Sequence, residues 1–174
     1  MKKLFLAAFA VFAFTSINAQ TFGALGGLSM MSLKIDSGGF GDATESETGF
    51  HLGAFAEFEV SDQFAVQPEL TYTIAGDLSM FGLNAIAKYN ISDEFNIQAG
   101  PQIGFVGGDV GDYIDSFDDG TKLNLQLAIG AGYDISEELF VQARYGFQLN
   151  DHYTGEGDGS VKISGFAASV GYKF

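Results

Sequence analysis

Between Gly49 and the carboxy-terminal Phe174, apolar residues recur at every second position, with breaks only at polar turns. One phase carries Phe50, Leu52, Ala54, Ala56, Phe58 and Val60; the next runs Phe64, Val66, Pro68, Leu70, Tyr72 and Ile74. The same pattern returns over 81–91, 95–105, 123–135, 139–149 and 166–174. Period 2 is the mark of strands with unlike faces, because successive side chains point to opposite sides of a sheet. A helix would need a period near 3.6, and no such stretch competes. The stretch from about Thr21 to Leu33 alternates poorly, and it enters as a first strand because closing such a sheet calls for an even number.

An internal repeat sets the connectivity. Val60-Ser61-Asp62-Gln63-Phe64, Ile91-Ser92-Asp93-Glu94-Phe95 and Ile135-Ser136-Glu137-Glu138-Leu139 are copies of one short polar turn between apolar ends. Turns this short join antiparallel neighbours. The alternate connections, over 35–48, 75–80, 106–121 and 151–160, are longer and richer in Gly and Asp. Short turns at one end and long loops at the other predict an all-β, eight-stranded antiparallel up-and-down barrel that spans a membrane. Solenoids and propellers repeat whole units at a fixed period, and these copies start unevenly, at 60, 91 and 135.

A soluble ligand-carrying barrel also has eight strands but turns its apolar face inward. The second face decides against it. That face is filled with Gln67, Thr71, Asn84, Gln98, Gln102, Asn124, Gln126, Gln142 and many glycines, and carries few of the Lys and Glu residues that a water-exposed surface would show. Aromatics on the apolar face also sort by depth. Phe58, Phe64, Tyr89, Phe95, Tyr133, Tyr172 and Phe174 lie near the short turns; Phe50, Tyr72, Phe81, Phe105, Phe147 and Phe166 lie near the loops. Two aromatic girdles around an aliphatic band match the two interfaces of a bilayer. Pro68 and Pro101 fall inside strands, where each removes a ladder donor, and local bulges are expected there.

The amino end reads as an export signal. Lys2 and Lys3 precede an apolar run from Leu4 to Phe14, and small residues lead to a cut expected after Ala19. The run falls well short of the ~20 residues of a membrane helix. The expected organisation is therefore a signal peptide over 1–19 and a barrel domain over 20–174. With no Cys, a lipid-anchored lipoprotein is excluded and stability must come from elsewhere than disulfides. A formal net charge of -14 rules against nucleic acid, whose phosphates need a basic face.

The last strand, Phe166-x-Ala168-x-Val170-x-Tyr172-x-Phe174, resembles the signal by which barrel-assembly machinery recognises its clients. With Gly100-Pro101, Lys88-Tyr89 and Gly130-Ala131-Gly132-Tyr133, it makes the chain from Gln20 to Phe174 similar to the outer-membrane β-barrel domain family, small porin-like barrels of the architecture of outer membrane proteins A and X. The resemblance implies a bacterial outer-membrane protein with extracellular long loops and periplasmic termini. It implies lipid and lipopolysaccharide around the barrel, assembly machinery as the partner during biogenesis, and Phe166, Val170, Tyr172 and Phe174 as the assembly signal. A closed barrel satisfies its own edges, so a monomer is expected.

Charges on the polar face form the main candidate constellation. Glu57, Glu59, Glu69, Lys88 and Arg144 fall there, towards the short turns. Isolated charges in a narrow lumen are costly. Arg144 and Lys88 are therefore expected to pair with Glu57 and Glu69 as an interior polar plug; the rival reading is a proton or ion path. His51 and His152 sit in no recognisable Ser/His/acid motif, so no catalytic residue is expected. Asp115 to Gly120 is shaped like a calcium loop but has Phe117 where the third ligand belongs, so the acidic loops read as solvated surface with no resident metal or cofactor expected; weak, shared binding of Ca²⁺ or Mg²⁺ that bridges to lipopolysaccharide is the alternative. The function expected is a structural or surface-interaction role without an open pore. A narrow solute channel and a lipid-modifying enzyme are the alternatives.

Overall fold

The computed structural model describes residues 20–37, 42–116, 119–153 and 159–174. The expected signal peptide lies outside these residues. The chain forms β1 (Gln20–Ser37), β2 (Asp42–Ser61), β3 (Phe64–Ala75), β4 (Leu78–Asn90), β5 (Phe95–Gly107), the helix α1 (Gly108–Asp115), β6 (Leu123–Asp134), β7 (Leu139–Gln148) and β8 (Gly159–Lys173). Each strand pairs antiparallel with the next, and β1 closes on β8, so the eight strands make a complete barrel.

The phase read from sequence decides which side faces out. Phe50, Leu70, Phe81, Ile97, Leu127, Phe147 and Val170 are all exposed, with Phe50 reaching 71 %. The complementary set, Gln67, Asn84, Gln98, Asn124, Gln126 and Gln142, is buried. This is the reverse of a soluble protein, and only a lipid surround makes it favourable.

β1 explains its own irregularity. Phe22, Ala24, Leu28 and Met30 face out, but Leu25 and Met31 face in and are buried, so apolar residues occupy both phases.

Two of the repeated turns fold alike. The hydroxyl of Ser92 accepts from the backbone N–H of Phe95 at 3.1 Å, and that of Ser136 from Leu139 at 3.0 Å. In the remaining copy Ser61 is drawn into β2 and the register shifts between Glu59 and Ser61.

The loop expectations need correction. Most of the first connection is strand, because β1 runs on to Ser37 and β2 begins at Asp42. The second is a tight turn at Gly76-Asp77, where Gly76 has φ of 56°. The third holds α1, which no periodicity signalled.

The expected bulges at the prolines are also corrected. Pro68 pairs normally with Ala85 of β4, and Pro101 with Leu127 of β6. On its other side each proline sits in a short lapse of the ladder, between Phe55↔Glu69 and Phe58↔Val66 for β3 and between Asn84↔Gln102 and Ala87↔Ala99 for β5. Register is the same on both sides of each lapse. A missing N–H removes bonds on one side only, and the flanking pairs hold the strands in step.

Candidate functional site

The inward side chains fill the lumen in tiers, and each tier follows from how neighbouring strands are staggered. In the tier nearest the short turns, Phe55 of β2 and Phe140 of β7 meet edge to face at 5.5 Å between ring centres, with Leu25 beside them. Room for the rings comes from glycine. A Cβ at Gly171 would lie 2.0 Å from Phe140 Cζ, and one at Gly23 would lie 2.2 Å from Phe55 Cζ. Lys88 and Lys173 hold their ammonium groups 5.6 and 5.7 Å from the Phe140 ring centre, within cation–π range. Lys88 Nζ donates to Glu57 Oε2 at 2.5 Å, and Lys173 Nζ to Asp134 Oδ1 at 2.8 Å.

The next tier centres on Arg144. Its Nη1 lies 2.8 Å from both carboxylate oxygens of Glu69. Nε donates to Gln98 Oε1 at 2.5 Å and Nη2 to Gln142 Oε1 at 2.8 Å. Glu69 in turn accepts from Gln67 at 2.6 Å and Asn84 at 3.1 Å. Both charges are therefore buried, paired and hydrogen-bonded, the condition under which burial of ions is tolerated. The structure thus brings together Glu57 with Lys88 and Glu69 with Arg144. Glu59 is not among them: it stays exposed at the rim, where the register shifts.

His51 marks a third tier. Ser29 Oγ lies 2.8 Å from His51 Nδ1, and Ser169 Oγ lies 2.8 Å from Nε2. Spacing in the sequence does not reveal these partners, because they come from β1 and β8, at opposite ends of the chain. A Ser–His contact is what a nucleophile and its base require. Here, however, a second serine takes the place of the orienting acid. Among the described residues the site borders a lumen cavity of about 80 Å³, also lined by Thr73, Gln102, Gln126 and Arg144. That is room for a few waters.

An apolar cap closes the loop end. Met31, Ala75, Leu78, Val106 and Ile163 surround Ile114 of α1, which is 1 % exposed. Lys122 Nζ fixes the helix through Asp115 at 2.5 Å, with Asp112 at 3.8 Å. The hydrogen bond that Lys122 donates to Asp115 is the main reason its pKa is raised above the usual lysine value. Asp112 and Asp115 are thus engaged by lysine; Phe117 and Asp118 of the calcium-like stretch lie outside the described residues. His152 joins the cap to the sheet. Its Nδ1 lies 2.6 Å from the Thr121 carbonyl, which can only accept, so Nδ1 carries the proton. Nε2 then accepts from Asn124 at 3.2 Å. Burial is the largest cause of the lowered His152 pKa.

At the carboxy end, Tyr172 donates to Glu138 at 2.8 Å and the N–H of Phe174 bonds the Phe22 carbonyl at 2.8 Å. Phe166, Val170, Tyr172 and Phe174 all face outward.

Solved structures of similar shape are small barrels. The attachment invasion locus protein Ail of Yersinia pestis aligns with a TM-score of 0.51 at 14 % identity, covering 90 % of this chain and 100 % of that one. Neisserial surface protein A gives 0.52 at 14 %, over 90 % and 100 %. The outer membrane enzyme PagL gives 0.50 at 18 %, over 88 % and 98 %. At these identities the likeness is one of fold. No curated protein sequence matches. The model of the outer membrane protein beta-barrel domain matches residues 4–174. The chain therefore belongs to the outer membrane protein beta-barrel domain family, and its place is the bacterial outer membrane.

Proposed function

We propose that this barrel is shut, and that it serves the outer membrane as a structural and surface-interaction protein rather than as a pore or an enzyme. The observation that carries this reading is closure of the lumen at separate tiers. Phe55 and Phe140 fill the short-turn end together with the Glu57–Lys88 pair, the Glu69–Arg144 pair crosses the middle, and Ile114 with its neighbours caps the other end. An eight-stranded interior is only just wide enough for side chains, so no tier has to move for the plug to hold. The ion pairs act as struts, since each charge needs its partner to remain buried. The Ser29–His51–Ser169 contact stiffens β1, β2 and β8 rather than attacking a substrate, because an acyl chain in the membrane meets the opposite face of the wall.

Several features support an orientation with the short turns and both termini in the periplasm. The short turns lie at the end where Gln20 and Phe174 meet, while α1 and the extended β1–β2 hairpin lie at the other. Phe166, Val170, Tyr172 and Phe174 then present the final strand to assembly machinery before lipid covers it. A swelling assay tests the function. Liposomes loaded with an impermeant polymer and carrying the purified barrel should not swell in an isosmotic solution of a small sugar; rapid swelling would establish a channel instead.

A further inference from the structure

The barrel closes over its membrane-spanning part, yet at the loop end a stretch of β2 has a strand on one side only among the described residues. β2 pairs with β1 from Asp42↔Asp36 to Phe58↔Gln20, whereas its pairing with β3 begins only at Phe50↔Ile74. From Asp42 to Thr48 the side of β2 turned to β3 therefore meets no strand among the described residues, and Ala43 to Thr48 are all exposed. Every second residue on such an edge offers a free N–H and C=O, a template for one further strand.

A small cavity of about 90 Å³ adjoins the same stretch. Its floor is Met31, Leu33, Ala75, Leu78 and Val110, and its acidic lining is Glu45, Glu47 and Asp77. No hydrogen bond or ion pair among the described residues engages those three carboxylates. The edge and the cavity make complementary demands. The edge asks for an extended backbone. The cavity asks for a side chain with an aliphatic stem and a cationic head, which is the build of lysine and arginine.

We propose that the Asp42–Thr48 edge of β2 docks an extended basic peptide segment of an external protein by strand addition, with one Lys or Arg seated between Glu45, Glu47 and Asp77. Main-chain bonds supply affinity in this mode and the alternate-residue pocket supplies selectivity. A second copy of this chain is the wrong occupant: its own Thr44-Glu45-Ser46-Glu47-Thr48 edge would set carboxylates against carboxylates. The same acids that keep copies apart select a basic partner. The inference rests on the proposed surface role and on the loop end facing outward.

The test uses the whole barrel in phospholipid nanodiscs and fluorescent peptides of roughly eight residues, within the usual range of strand lengths, read by anisotropy. A peptide alternating lysine and valine should bind, and one alternating glutamate and valine should not. Two further lysine–valine peptides, N-methylated on one edge or the other, keep the charge but lose main-chain donors. At least one of them should bind about tenfold more weakly, the loss of one or two hydrogen bonds. Glu45→Gln with Glu47→Gln should weaken the parent peptide roughly five- to tenfold without altering the barrel's unboiled electrophoretic mobility. Equal binding by both methylated peptides, or by the Gln variant, would overturn the proposal, as would a dimer by sedimentation that the peptide cannot displace. Failure of the surface reading is separate: a barrel that swells liposomes but still binds the peptide refutes the shut barrel, and one that stays shut but ignores the peptide refutes only the docking edge.

Discussion

Arg144 shows how a membrane barrel can hold full charges inside. All of its donor sites that carry the plug are occupied, by Glu69, Gln98 and Gln142. Arg144→Ala should therefore cost about 3–5 kcal/mol, chiefly because Glu69 is left buried and unpaired. Guanidinium unfolding in micelles measures this, and adding Glu69→Gln should recover part of the loss. An undiminished stability for Arg144→Ala would remove the plug from the account. Gly171 offers a second check at this scale. Gly171→Ala should destabilise by about 1–3 kcal/mol through collision with Phe140, and combining it with Phe140→Leu should restore much of that. His152 provides a pH dependence. Its pKa in the folded protein lies below the 6.5 of the free side chain, so the unfolded loop binds the proton more readily. The stability it contributes is complete above that value and falls as pH drops from there towards the folded pKa. The protection factor of the Thr121 amide, whose N–H bonds the His152 carbonyl at 2.9 Å, should fall on acidification over that window. His152→Gln should abolish that fall.

Among the elements, the strands were legible and the cap was not. Alternation fixed the outward face of β2 to β8 because lipid on one side and a polar lumen on the other impose opposite demands at every step. β1 was hard to read because it serves two apolar clusters inside as well as lipid outside, through Leu25 and Met31. Phe55 and Phe140 escaped for a related reason. They sit in the polar phase, and only their cross-strand glycines, Gly23 and Gly171, hinted that rings would occupy the space. The pairing of Glu57, Glu69, Lys88 and Arg144 could be anticipated from charge balance and phase; the serines around His51 could not, since Ser29 depends on the register of β1 on β2 and Ser169 on closure of β8 onto β1. α1 is too short for a periodic signal and draws its stability from Ile114. Ile114→Asp should strip exchange protection from 108–115 while leaving global unfolding within about 1 kcal/mol, because the cap opens independently of the sheet.

At the scale of the whole molecule, the barrel presents a lipid-facing belt, a filled interior and an acidic crown. Its orientation can be tested by epitope insertion. A tag at Asp119 should be stained on intact cells and a tag at Asp93 only after the outer membrane is opened; the reverse pattern would invert the barrel. A shut barrel has no continuous path through its side chains from Phe140 to Ile114. Single-channel recording of the purified protein in a planar bilayer tests it most directly. A shut barrel gives a flat current at the bilayer's own baseline across applied voltages, whereas stable ohmic steps from the unaltered protein would show an open path.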